Sequence, residues 1–197
     1  MLIAPQQKRS EETLQRILAV CEKLIEQGMF EQASMQEIAR EAGVSVGTLY
    51  KRFSAKSAIV DYLVGRLQTE QYEHFIDELS ACDACQLPDR VRFLSDLLYR
   101  STSEYSGLLR TVMVAHLLGN SPISGTTAAR SAGLINEAAG WLDQSEDSPG
   151  VEACQRAVAL VAFNFQYRAI YPTPDTLLGA DVYKDLVCEM ALKYLGA

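Results

Sequence analysis

Apolar residues recur at α-helical spacing along most of the chain, and no segment shows the strict alternation of a β-strand. The first stripe lies between Ser10, which can cap a helix N-terminus, and Gly28, which can end a helix. Its members are Leu14, Ile17, Leu18, Cys21, Leu24 and Ile25. Residues 1–9 read either as a disordered terminus or as a loose arm that brings Lys8 and Arg9 to phosphate.

Residues 34–53 predict two short helices joined by a tight turn. Ser34, with Glu37 three residues later, is a capping-box signature for the first helix. Gly43 supplies the positive φ that a sharp turn needs, and Ser45 can cap the second helix. The apolar positions that would pack the two helices together are Ile38, Ala39, Ala42, Leu49 and Phe53.

The remaining positions of the second helix face outward. They are small or polar near its N-terminus and aromatic or cationic further along: Val46, Gly47, Thr48, Tyr50 and Lys51. A helix that enters the major groove of DNA has this distribution, because small residues allow close approach while hydroxyls and cations reach bases and phosphates. The pattern therefore favours a DNA-binding helix-turn-helix over a helical hairpin that only packs.

The charge distribution supports nucleic-acid binding only locally. The chain has 18 Lys and Arg against 25 Asp and Glu, a net charge of −7. This charge excludes a basic protein that coats nucleic acid without regard to sequence. Residues 1–68 hold nine basic and eight acidic residues, a balance of +1, whereas residues 69–197 hold nine and seventeen, a balance of −8. Residues 42–60 include three basic residues and no acidic one. A small basic window on an acidic protein favours site-specific binding.

The helix-turn-helix segment resembles the N-terminal signature of the TetR family of bacterial transcriptional regulators, and the resemblance extends over roughly residues 10–65. It rests on Ile38-Ala39, Ala42-Gly43-Val44-Ser45, Gly47-Thr48-Leu49-Tyr50, Phe53 and Lys56. Arg52 stands where the family often has His or Tyr, and could add a phosphate contact; Ser57 stands where it often has Glu. The resemblance implies an all-helical homodimer with a three-helix DNA-binding domain and a larger domain that binds an effector and dimerises.

We therefore predict an all-α fold. A three-helix N-terminal helix-turn-helix domain would occupy residues 1–54, a connecting helix residues 55–80, and an effector-binding and dimerisation domain residues 81–197. The last of these would be a helical bundle with about six helices that dimerises through the final two. The helical pattern runs from Ser54 towards Leu79, resumes after Pro88, and continues over about 107–118, 127–142, 151–171 and 180–195, with loops at 119–125 and 172–174.

The last two predicted helices bear on assembly. Residues 158–163 are apolar nearly all round, so that helix must be covered on more than one side. The final helix carries a continuous stripe made of Val182, Leu186, Val187, Met190, Tyr194 and Leu195. These surfaces either fill the core of their own domain or form the four-helix dimer interface that the resemblance implies. We favour the dimer.

The sequence indicates neither an enzyme nor a cofactor. No Gly-rich phosphate loop or paired carboxylates occur, and neither His74 nor His116 has a metal-ligand partner three or four residues on. His116 lies in an apolar stretch, so we expect it in the core or in a pocket wall. Cys82 and Cys85 form a lone C-x-x-C that is most simply interpreted as two ordinary thiols, although a redox-sensing or metal role stays open. An odd count of five cysteines, no long apolar run and no leader favour a cytoplasmic protein that enters no membrane.

The predicted function is transcriptional regulation, most simply by a homodimeric repressor that leaves a palindromic double-stranded DNA operator when an apolar small molecule binds. The predicted DNA contacts are Ser34, Ser45, Val46, Gly47, Thr48, Tyr50, Lys51 and Lys56. The predicted ligand walls, within residues 88–171, are Val112, Met113, His116, Leu117, Trp141, Phe163 and Tyr167. The alternative is a DNA-bound adaptor of the same fold that recruits a protein and binds no small molecule. The effector, the operator, the regulated genes and the sign of regulation stay open.

Overall fold

A computed structural model describes residues 5–117, 125–171 and 178–197, and within these ranges every regular element is an α-helix. The helices are α1 Pro5–Glu26, α2 Met35–Glu41, α3 Val46–Arg52, α4 Lys56–Ala81, α5 Leu87–Glu104, α6 Ser106–Leu117, α7 Gly125–Asp143, α8 Val151–Ile170 and α9 Ala180–Leu195. The all-α prediction is confirmed.

The predicted helices agree with the observed ones except at the start of α1. This helix begins at Pro5 and not at Ser10, so the expectation of a loose arm up to residue 9 is wrong for residues 5–9. Proline is favoured in the first turn of a helix, where its missing N–H needs no partner. The loops predicted at 119–125 and 172–174 lie outside the described residues, apart from Gly125, which begins α7.

The chain divides into two compact units. The first comprises the described parts of Met1–Gly65 and Arg110–Ile123, and the second those of Arg66–Leu109 and Ser124–Ala197. The helices α4 and α6 therefore each contribute residues to both units. The three-domain division proposed from the sequence stays a prediction.

The core of the second unit forms around α8, which packs against α5, α7 and α9. The ring of Phe165 lies at its centre, with the Tyr99 ring edge-on at 5.3 Å and the Tyr183 ring at 6.3 Å between centroids. Burying one large apolar side chain of this kind stabilises the fold by about 1.5–3 kcal/mol. The buried side chains of this core include Leu87, Val91, Leu94, Leu142, Val158, Val161, Val187 and Ala191.

Several large apolar side chains of α8 and α9 lie outside this core and are exposed. On α9 the sequence stripe divides: Val187 and Leu195 are buried, whereas Leu186 and Met190 are 45% and 42% exposed. On α8, Phe163 is 68% exposed even though the same helix carries the most deeply buried ring of the unit. The exposed apolar set on the two helices is Val151, Phe163, Tyr167, Val182, Leu186, Met190 and Tyr194. We call it the α8–α9 outer face.

The first unit is built around the inner stripe of α1. Ile17, Leu18 and Cys21 are fully buried, as are Ile38 of α2 and Leu49 of α3. Burial raises the pKa of the Cys21 thiol to about 12, so this cysteine is a neutral apolar filler at physiological pH. The stripe predicted for the first helix is therefore the core of the helix-turn-helix unit.

The five cysteines are free thiols. Cys82 is half-buried, and the exposed Cys85 donates its S–H to the Asp83 carbonyl at 3.5 Å. Among the residues that the structure describes, no group of three or more His, Cys, Asp or Glu side chains is arranged to hold a metal ion. None of the described helices is long and apolar enough to cross a bilayer.

Candidate nucleic-acid interface

A complete capping box fixes the start of α2. The Ser34 hydroxyl accepts the Glu37 N–H at 3.2 Å, and the Glu37 carboxylate accepts the Ser34 N–H at 2.8 Å. The Ser34 hydroxyl also donates to that carboxylate at 2.8 Å. The backbone hydrogen bond from Ser34, followed by the one from its hydroxyl, lowers the pKa of Glu37 below its ordinary value. The capping box predicted from the sequence is confirmed.

The turn between α2 and α3 depends on Gly43, which adopts a φ of +63°. Its N–H bonds to the Arg40 carbonyl at 3.1 Å, and the next N–H, of Val44, bonds to the Ala39 carbonyl at 3.0 Å. These bonds use carbonyls that the end of α2 would leave unpaired. A side chain at this φ costs about 1–2 kcal/mol, so a glycine suits the turn.

The second predicted cap is also present. Ser45 is in the extended conformation, and its hydroxyl accepts the Thr48 N–H at 3.1 Å. The Ser45 and Thr48 hydroxyls share a further hydrogen bond of 2.8 Å. Both hydroxyls therefore lie together at the N-terminal end of α3.

The faces of α3 follow the prediction from the sequence. Leu49 is fully buried and Phe53 is 5% exposed, and the Phe53 ring packs edge-on against Tyr62 at 5.7 Å. Val46 and Tyr50 are 37% and 51% exposed. The other predicted outward positions are also solvent-accessible: Ser45, Gly47 and Lys51 are exposed, and Thr48 is half-buried. The seven-residue helix thus presents one continuous polar and aromatic edge to solvent.

Lys56 is already engaged within its own unit. Its Nζ donates to the Glu31 carbonyl at 2.8 Å, lies 3.8 Å from the Glu31 carboxylate and sits 4.9 Å from the centre of the Phe30 ring. The side chain is only 24% exposed. To contact phosphate it would have to share or exchange these partners, so Lys51 is the freer cation of the predicted pair.

Arg52 makes a contact that the sequence analysis missed. Its Nη2 donates to the Ser10 carbonyl and, at 2.7 Å, to the Ser10 hydroxyl. Arg52 is half-buried and therefore differs from the exposed Lys51 beside it. The one available signal was its departure from the residue types that the resemblance led us to expect, because no local pattern links positions 42 residues apart.

The predicted ligand walls lie in both units. Val112, Met113, His116 and Leu117 belong to the part of α6 in the first unit, and Trp141, Phe163 and Tyr167 to the second. Trp141 is half-buried, with the Phe93 ring 5.9 Å away and the Arg90 guanidinium 4.7 Å from its ring centre. Val112 and Met113 are half-buried, whereas Leu117, Phe163 and Tyr167 are 69%, 68% and 53% exposed. These walls stay a prediction.

The two histidines are both on the surface. His116 is exposed, so it does not lie in the core: the helical period turns it outward while Ala115 beside it is buried. The other expectation, that it lines a pocket wall, stays a prediction. His74 pairs with Glu78 one turn along α4, with Nε2 2.8 Å from the carboxylate, and Arg100 reaches the same carboxylate at 2.8 Å.

Comparison with known proteins finds a family match in the N-terminal part of the first unit. Residues 17–63 match the family model described as bacterial regulatory proteins, tetR family, and this range contains both capped helices and the Gly43 turn. Over these residues the chain is therefore similar to the DNA-binding domain of TetR-family regulators. The helix-turn-helix assignment is thereby confirmed, and the role of the α3 edge in reading DNA stays a prediction.

Relatives and a solved structure extend the likeness beyond this domain. The uncharacterized HTH-type transcriptional regulator Rv2912c of Mycobacterium tuberculosis is 37% identical over 114 residues, which span 56% of each protein. The HTH-type transcriptional regulator SAUSA300_2515 of Staphylococcus aureus is 39% identical over 59 residues, 30% of this chain and 32% of its own. The crystal structure of SCO7518 from Streptomyces coelicolor A3(2) matches with a TM-score of 0.61 and 19% identity over 94% of this chain and 99% of its own. At that identity the structure shows a shared fold. The chain covers little more than half the length of the mycobacterial relative.

The capping box should make the stability of the TetR-type domain depend on pH. Hydrogen bonds from Ser34 lower the folded-state pKa of Glu37, so their stabilisation is fully present above the unfolded-state pKa of about 4.3. It is lost as the pH falls through the lowered folded-state pKa. Glu37→Gln can keep the capping geometry but has no titratable group, so this part of the acid sensitivity should disappear.

The measurement is thermal unfolding of the wild type and the variant across the acidic range. Glu41→Gln, which removes an exposed carboxylate from the same helix, controls for the change in net charge. The same acid sensitivity in the wild type and Glu37→Gln would show that the capping box does not contribute as described.

Proposed function

We propose that this chain is a sequence-specific DNA-binding transcriptional regulator whose α3 helix reads the major groove. The observation that carries the proposal is the outward edge of α3. Its N-terminal end is capped and small, and its C-terminal half bears Tyr50 and Lys51. An edge of this kind allows the backbone to approach the bases while the flanking groups contact phosphate.

Each predicted contact has a role that follows from its place. Ser34, at the N-terminus of α2, and Lys56 would contact phosphates. Tyr50 and Lys51 would add contacts to the DNA backbone further along α3. The residues nearest the base edges are Ser45, Val46, Gly47 and Thr48.

Substitutions on α3 should separate affinity from specificity. Lys51→Ala should weaken binding to every duplex and lower the slope of log K against log salt by about 0.9 for each phosphate that the variant no longer neutralises. Lys56→Ala should do the same to the extent that its ammonium leaves Glu31 for phosphate. Thr48→Ala should instead reduce discrimination between sites by about 1–3 kcal/mol if it contacts a base edge.

The assay compares a duplex selected by the wild type from a randomised pool with a mixed-sequence duplex, over a range of salt concentrations. Arg92→Ala, which removes an exposed cation from α5, is the matched control for charge. Wild-type binding that selects no sequence, or that is unchanged by the Lys51→Ala, Lys56→Ala double substitution at all salt concentrations, contradicts the proposed function.

We also propose that the chain acts as a homodimer joined through the α8–α9 outer face. Seven large apolar side chains on the described parts of α8 and α9 are between 42% and 68% exposed. Large apolar side chains exposed on two neighbouring helices are typical of an interaction site, and a two-fold interface would let the same face cover itself. Two reading helices related in this way would be about 34 Å apart, or a multiple of that spacing, and the operator would be palindromic.

Leu186→Glu should convert the dimer into a monomer or an aggregating species, because a carboxylate would be buried without a partner at the interface. Analytical ultracentrifugation and binding to the selected duplex measure the two consequences. Ser103→Glu adds the same charge at an exposed position of α5 and should leave the wild-type behaviour intact. A wild type that sediments as a folded monomer at micromolar concentration would contradict the proposed assembly.

Finally, we propose that the regulator is a repressor released by an apolar small molecule. Trp141 is the best-supported wall, since its half-buried ring offers apolar surface beside the Arg90 guanidinium. The exposure of Phe163 and Tyr167 in the single chain fits the α8–α9 outer face better than a closed cavity. A ligand releases DNA only by binding the DNA-incompetent state more tightly.

A thermal-shift screen of apolar and aromatic metabolites, followed by duplex titration with each hit, tests this mechanism. A ligand with a differential affinity of about 2 kcal/mol between the two states should reduce duplex affinity about thirtyfold, and Trp141→Ala should weaken that ligand's binding. Ligands that bind tightly and leave duplex affinity unchanged would favour the adaptor, which recruits a protein and is not released by a small molecule.

A further inference from the structure

Arg52 connects the end of the reading helix to the N-terminal part of α1. It is the last residue of α3, and its guanidinium bonds both the carbonyl and the hydroxyl of Ser10. Ser10 is not the start of α1, because that helix begins at Pro5. The contact therefore holds α1 at a residue within the helix, and the first turn of α1 lies on the N-terminal side of that residue.

Both partners of Arg52 in this contact are neutral oxygens. The guanidinium consequently keeps its positive charge while its geometry is fixed, which differs from an ion pair with a carboxylate. Arg9, the residue before Ser10, is exposed, and its carbonyl accepts the Thr13 hydroxyl at 2.8 Å. The hydrogen bonds between Arg52 and Ser10 thus attach α1 to α3 one residue away from the exposed cation Arg9.

Arg9 is exposed although two acidic residues lie close to it in the sequence. Glu11 and Glu12 follow Ser10 in the sequence, and the Glu11 carboxylate accepts the Gln15 side-chain amide at 2.7 Å. These carboxylates lower the positive electrostatic potential around Arg9. Arg9 therefore strengthens DNA binding only if it is held close to a phosphate. A cation on a fraying helix end would instead lose most of the interaction energy to conformational entropy.

We propose that Arg52 is a positioning residue that, through Ser10, fixes the first turns of α1 so that Arg9 contacts the DNA backbone beside α3. This inference rests on the proposed DNA-binding function and adds a further cationic contact to those of Lys51 and Lys56. The hydrogen bond between Arg52 and Ser10 joins residues that are far apart in the sequence. The proposed contact of Arg9 with DNA therefore depends on the folded domain.

A double-mutant cycle on Arg9 and Arg52 tests the proposal. Arg9→Met and Arg52→Met should each weaken binding to both the selected duplex and the mixed-sequence duplex by roughly tenfold, and each should lower the salt slope by about 0.9 per domain. If Arg52 acts through Arg9, the double variant should bind no more weakly than the weaker single variant. Two independent phosphate contacts would multiply to a reduction of roughly hundredfold.

Stability and charge are controlled separately. Thermal unfolding of each variant identifies loss of fold, and Ser10→Ala, which removes one of the two acceptors and no charge, should give a smaller loss of affinity with the same dependence on Arg9. Arg92→Met removes a matching cation from the surface of α5. Multiplicative losses of affinity, or an Arg9→Met variant that binds like the wild type, overturn the inference while leaving the DNA-binding function intact. A wild type that binds neither duplex overturns the proposed function itself.

Discussion

The helical period of α3 is the constraint on which the interface depends. Leu49 and Phe53 lie four residues apart and are both buried, so the helix cannot rotate without exposing one of them. A helix of seven residues has little stability of its own, and it is secured by the Ser45 cap at one end and by Arg52 at the other. Because the inner face is fixed in this way, the outer edge that includes Val46 and Tyr50 is fixed too.

The helices α8 and α9 contribute both to the core of the second unit and to its exposed surface. Their inner sides complete a core around Phe165, and their outer sides present large apolar side chains to solvent. A single chain gains nothing by exposing these groups, so the proposed dimer rests on the α8–α9 outer face. The proposed dimer would use the same two helices to stabilise each subunit and to set the spacing of the two DNA-reading helices.

Local chemistry explains which features could be predicted from the sequence. The Ser34 capping box, the Gly43 turn and the Ser45 cap each involve residues within five positions of one another, and the sequence pattern alone located them. The Arg52–Ser10 contact joins distant positions, and no periodicity signals it. His116 could not be assigned to the core or to the surface, because an apolar neighbourhood in the sequence does not specify which side of a helix a residue occupies. The early start of α1 was missed because a capping serine can also stand inside a helix.

The central claim is that the fixed outer edge of α3 enters the major groove, and a footprint of the wild-type protein on its selected duplex tests it most directly. We expect protection of guanine N7 positions in two major-groove segments on one side of the duplex, one helical turn or a multiple of it apart. Thr48→Ala should remove protection at individual bases within those segments and leave their positions unchanged. Protection confined to the minor groove, or protection that does not change with any substitution on α3, would contradict the account.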